Sequence, residues 1–143
     1  GMIPAGRVCD EPWAFWDFLP TATELARAKL PDGFQPDGHS LTTMLKGGSA
    51  PQRDYFYWEL HEAAFLQAVR FGDWKAVRNS PSKPIELYDL KSDSGERHNL
   101  AADKPDVVAQ AESLLKSAHL DDPNWPIFEN SKQRQEWRKK RSR

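Results

Sequence analysis

The chain has 143 residues, close to the usual size of one domain; 38 % are hydrophobic and 29 % charged, and the mean hydropathy is -0.77. No run approaches the length of a bilayer span, and the start lacks the basic, apolar, small-residue order of a signal peptide. A single cysteine, Cys9, excludes an internal disulfide. The net charge of -1 is uneven: residues 131–143 carry seven cations against Glu136 alone, a net +6, so the rest carries -7. Six Trp, seven Phe and three Tyr predict a thin core of large rings, with some rings left for a partner surface through which copies could associate.

In chain order, Gly1 before Met2 reads as the remnant of a cleaved tag, with the natural start at Met2. Pro12 suits a first helical turn, and Pro20 should bend or restart the helix, giving two short pieces. Residues 30–38, with two Pro and two Gly, read as a connector. Ser40 is placed to cap a short helix carrying Leu41, Met44 and Leu45 and stopping at Gly47 and Gly48. Residues 54–59, Asp-Tyr-Phe-Tyr-Trp-Glu, predict a strand, and residues 60–66 a hairpin loop.

Residues 67–90 hold three short runs rich in β-branched and aromatic residues, separated by turns. Gly72 and Asp73 suit a two-residue hairpin turn with glycine first, which sets Phe71 opposite Trp74. A polar loop follows, with Gly95 as its turning point. A helix opening at Asp103, with Pro105 in its first turn, then carries the stripe Val107, Val108, Ala111, Leu114, Leu115 and Ala118. Residues 121–128 read as an extended aromatic arm, and the basic tail beyond as mobile. The predicted class is α+β: a four-stranded antiparallel sheet with a packed C-terminal helix, preceded by short helices. The expected organisation is 1–53 as a helical lead-in, 54–128 as the sheet and helix, and 129–143 as a basic tail.

The chemistry-bearing motifs fail one by one. His61-Glu62 opens like a zinc-protease helix, but Phe65 stands where the second histidine belongs. The acids between Asp89 and Glu96 do not keep calcium-loop spacing. Lys46-Gly47-Gly48 has the residues of a phosphate loop in the wrong order. The tail's cations could touch phosphate, but no folded nucleic-acid motif accompanies them, and nucleic acid is not the expected partner.

A resemblance adds what spacing does not. Gly72-Asp73-Trp74-Lys75, then Glu86-Leu87-Tyr88-Asp89-Leu90, Asp93, Gly95-Glu96 and Asn99-Leu100-Ala101, resemble the C-terminal region of formylglycine-dependent sulfatases of the arylsulfatase type. Asp17-Phe18-Leu19-Pro20-Thr21 is similar to that family's Asp-x-x-Pro-Thr helix, and Asp37-Gly38-His39-Ser40-Leu41 to its Asp-Gly-x-Ser-Leu stretch. Ser94 departs from the proline common there, and the basic tail lies outside the resemblance. The resemblance implies the sulfatase C-terminal subdomain, a small antiparallel sheet with a helix that borders the substrate pocket. It implies that formylglycine and calcium belong to the full-length enzyme and to an N-terminal catalytic domain, with no cofactor, metal ligand or catalytic residue in this chain.

Ser49-Ala50-Pro51-Gln52-Arg53 matches the spacing of the formylglycine modification motif, but Gln52 is too large for its position and no Thr-Gly follows. The expected function is therefore a fragment of a sulfuric ester hydrolase, inactive alone, that lines the pocket for a sulfated ester or glycan. Trp58, His61 and Glu62 are the substrate-pocket candidates. The alternative is a stand-alone protein or carbohydrate interaction module. The sequence leaves the location open; the family resemblance is compatible with a periplasmic or extracellular one.

Overall fold

The computed structural model describes residues 3–61 and 65–141. It divides into two compact units, residues 1–53 and 54–143.

In the second unit, Gly72 takes φ 54° while Asp73 keeps a negative φ, a turn that glycine accepts without strain. It joins β2 (Leu66–Phe71) to β3 (Trp74–Arg78) with Phe71 opposite Trp74, as the sequence predicts. β1 (Phe56–Leu60) and β4 (Glu86–Asp89) complete an antiparallel sheet in the order β1-β2-β3-β4. Edge strand β4 is held on its free side by the Asn99 motif: Asn99 Oδ1 accepts from the amides of Leu87 and Ala101, and Leu100 donates to the Leu87 carbonyl.

Helix α3 (Pro105–Ala118) lies on one face of the sheet. Its Ala111 and Leu115 meet Val69, Phe71, Ala76, Ile85 and Leu87 in the core, and Val107, Val108 and Leu114 flank it. Burying such aliphatic side chains contributes about 1.5–3 kcal/mol each relative to leaving them exposed. Lys104 occupies the cap position and Asp103 makes no side-chain cap, because Pro105 stands at the first helical position, one residue later than predicted.

Gly95 sits in the turn as predicted, which the Glu96 amide closes on the Asp93 carbonyl, and the left-handed residue there is Glu96, at φ 53°. Asp93 Oδ2 accepts from the amides of Arg97 and His98, and Lys75 grips the Glu96 carboxylate, so the loop's own contacts offset the strain. The basic tail forms a helix, α4 (Ser131–Arg141). Asn130 Oδ1 caps the amides of Lys132 and Gln133, and Trp137 meets the Phe128 ring edge to face at 5.7 Å. Charge alone predicted a solvated tail; the cap and one aromatic anchor overrule it.

In the first unit, Pro12 starts no helix: a 3-10 turn (Phe15–Asp17) leads into α1 (Phe18–Leu25). Pro20 is accommodated without a break because it sits in the first turn of α1, where amides lack intrahelical partners. Ser40 Oγ accepts the Thr42 amide at the start of α2 (Thr42–Leu45), and the chain turns away at Gly47, φ 100°.

The two upstream motifs meet at Asp17, whose side chain is fully buried. Its carboxylate accepts from the amides of Ala14 (2.8 Å) and His39 (2.9 Å) and from the Arg53 guanidinium (2.8 Å). Thr21 donates to the Asp17 carbonyl and accepts the Leu41 amide. A Cβ at Gly38 would collide with the Trp16 carbonyl, so only glycine lets the two segments approach. Burial alone would raise the Asp17 pKa, but Arg53 and the two amides outweigh it and hold the carboxyl below its ordinary range.

Candidate functional site

Strand alternation sorts the chemistry of the second unit onto two faces. Phe56, Arg70, Lys75 and Tyr88 are paired across the four strands and share the face turned away from the core. Trp58 is on the same face, its ring stacked on Phe56 at 5.9 Å. There a cleft of about 370 Å³ is lined by Trp58, Arg70, Lys75, Leu90, Ser94 and Glu96.

The cleft holds an unbalanced charge. Lys75 Nζ is satisfied by both Glu96 oxygens at 2.7 and 2.8 Å. Arg70 has no carboxylate partner among the described residues, and its Nε is buried without a hydrogen bond. A buried donor of this kind is costly unless something accepts from it, and guanidinium suits the oxygens of a tetrahedral or planar anion. Trp58, 38 % exposed, offers a ring for the apolar side of the same ligand. Beside it the Tyr88 hydroxyl donates to Glu86, which pushes the phenol up to about 12 and leaves it protonated.

The core-side face gathers a different set. Glu59 accepts from Tyr57 (2.6 Å), contacts His61 Nε2 (3.2 Å) and pairs with His119 Nδ1 (2.9 Å); His119 Nε2 in turn reaches Asp121 (3.2 Å). Gln67 bonds the Tyr57 hydroxyl. Burial opposes ionisation of Glu59, but the Tyr57, His119 and His61 contacts prevail and lower its pKa. For His119, burial likewise works against the charge, and Glu59 and Asp121 overcome it and raise the pKa. The pair therefore ties the end of α3 to β1.

Of the three sequence-predicted residues, Trp58 lines the cleft beside Arg70, whereas His61 bonds to Glu59 on the core-side face, so the structure does not bring the two together. Glu62 lies outside the described residues. Arg70 and the Glu59–His119 pair were not singled out. Arg70 was legible, since Phe71 opposite Trp74 sets Arg70 opposite Lys75; the meeting of Glu59 and His119, sixty residues apart, was not. Arg53 of the modification-like motif serves the Asp17 carboxylate, while Ser49 is exposed. Among the described residues no three His, Cys, Asp or Glu side chains are arranged so that they could hold a metal ion.

No family model matches the chain. Its sequence is 34 % identical to human arylsulfatase D over 86 residues, 57 % of this chain and 14 % of that protein. It is 32 % identical to human arylsulfatase A over 134 residues, 73 % of this chain and 26 % of that one. Among solved structures, an enzyme in complex with its substrate D-glucosamine-2-N,6-O-disulfate superposes with a TM-score of 0.58 at 25 % identity, covering 71 % of this chain and 23 % of the other. The chain is related to the C-terminal region of arylsulfatase-type sulfatases. It spans between 14 and 30 % of the length of the curated sulfatases compared with it. The α+β fold, with its four-stranded antiparallel sheet and packed helix, is that of the sulfatase structures over the matched region.

Proposed function

We propose that this sulfatase-related chain forms one wall of the substrate pocket of a sulfuric ester hydrolase whose formylglycine and calcium stand on a separate catalytic domain. The observation that carries the reading is the relationship to arylsulfatase A across 73 % of the chain. Within it, residues 1–53 act as the end of the large domain, and residues 54–128 as the C-terminal subdomain. Trp13, Phe15 and Phe18 are 56, 86 and 62 % exposed. Rings so close in sequence favour a partner surface, and the catalytic domain is the partner that the relationship supplies.

The cleft beside Trp58 is the pocket wall. Arg70 takes the sulfate oxygens or a neighbouring acidic group of the glycan, Trp58 stacks on a sugar face, and Lys75 with Glu96 fixes the rim. The nucleophile and the cation that offsets sulfate charge come from the other domain. Binding and orientation are this chain's share.

Two measurements test the reading. The purified chain, given an aryl sulfate and calcium, should show background hydrolysis; turnover that survives repurification would overturn the assignment of the chemistry elsewhere. D-Glucosamine-2-N,6-O-disulfate should shift NMR resonances at Trp58, Arg70 and Lys75. The Arg70→Ala variant should bind it roughly tenfold more weakly or worse; unchanged binding would remove the cleft from the reading.

A further inference from the structure

The second unit carries another cleft, where the basic helix α4, which the sulfatase resemblance leaves out, meets the aromatic arm and His61. It measures about 160 Å³ and lies between the arm that follows α3 and helix α4. Trp125, Pro126 and Phe128 wall it from the arm and Trp137 from α4. Arg134 and Arg138 enter from one side of α4, and His61 closes the end toward the sheet, its ring 6.0 Å from Trp125.

Three features point to a ligand. Arg134 and Arg138 stand one turn apart, where like charges repel, and neither has a carboxylate partner among the described residues. Glu136 cannot relieve them, being about 200° around the helix from each. His61 Nε2 is engaged by Glu59, while its Nδ1 is buried with no hydrogen-bond partner among the described residues. Lastly, the cleft is braced: Arg141 bonds Asn124 and lies over the Trp137 ring at 4.9 Å, and Gln133 accepts the Glu129 amide. A helix with so little apolar surface would not be held here by burial alone.

We infer that this cleft binds an anionic saccharide, one sugar ring set against the tryptophans with its sulfate or carboxylate between Arg134 and Arg138. Flat indole walls suit the C–H face of a sugar, and paired guanidinium groups suit its acidic substituent. A bare inorganic anion would leave the rings unused. The site shares no residue with the Trp58 cleft, so it stands or falls apart from the pocket-wall reading.

The test is calorimetric titration of the full chain with a short dextran sulfate, against neutral dextran, polyphosphate and polyglutamate of matched charge. Dextran sulfate should bind; neutral dextran should not, and polyphosphate and polyglutamate should bind more weakly. Arg134→Ala with Arg138→Ala should weaken binding by roughly tenfold or more. Lys132→Ala with Lys140→Ala removes the same charge from the same helix outside the cleft, and should cost less than about threefold, as screened surface charges do. Equal losses in the two double variants, or equal affinity for any of the three control polymers, would overturn the site. Arg70→Ala should leave this binding unchanged, and a loss there would place the ligand in the other cleft.

Discussion

Asp17 in the first unit and Glu59 in the second are both carboxylates gathered by several donors, yet they behave differently. Asp17 is fully buried and served by groups that never change charge near neutrality: two amides and the Arg53 guanidinium. Glu59 stays 28 % exposed and depends on His119, whose charge changes near neutral pH. One carboxylate is a permanent knot in the fold. The other is a tie whose strength follows the proton.

The largest effect should come from the knot. Asp17→Asn keeps the shape but leaves Arg53 beside a neutral amide and weakens the acceptors for the Ala14 and His39 amides, at a cost of about 3 kcal/mol. Hydrogen exchange should show the Ala14 and His39 amides losing protection first. Protection within experimental error of the parent would mean that the motif residues hold nothing together.

A pH series separates the two carboxylates. The lowered Asp17 pKa gives stability that is present above its ordinary value of 3.8 and is lost as the pH falls through the lower folded value. Glu59 behaves likewise below its ordinary 4.5. His119 has the opposite sign: its folded pKa is raised, so its contribution is complete below the ordinary 6.5 and fades as the pH rises through the higher folded value. The Glu59–His119 tie is therefore strongest between about pH 4.5 and 6.5 and should weaken above that window, by about 1 kcal/mol or less for a partly exposed pair. The Phe65 amide, bonded to the Phe128 carbonyl at the foot of the arm, should lose protection on the alkaline side after the intrinsic exchange rate is removed. His119→Gln should flatten that trend while the Asp17 region stays flat in both proteins. A parent trend that survives the substitution would assign it to another group.

The smallest effect belongs to Asp121, fully exposed at the outer end of the same chain of contacts. Asp121→Ala should leave the denaturation midpoint within experimental error of the parent, as loss of an exposed ion pair does. A larger change in a denaturation curve would show the Glu59 cluster acting as one unit with the arm.

What was readable from the residues follows local rules. The turn at Gly72 sets the hairpin register and the apolar stripe marks α3, whereas the motifs at Asp17 and Gly38 were read from the family resemblance alone. The turn and the stripe depend on backbone conformation or periodicity within a few residues, which amino-acid identity controls directly. Tertiary contacts decided the rest: Trp58 and His61 on different faces, Arg70 without a carboxylate partner among the described residues, the left-handed conformation at Glu96, and a charged tail folded into α4 by Asn130 and Trp137. These outcomes depend on which distant groups come within a few ångströms of one another. No local preference encodes that distance, so only the folded chain could supply it.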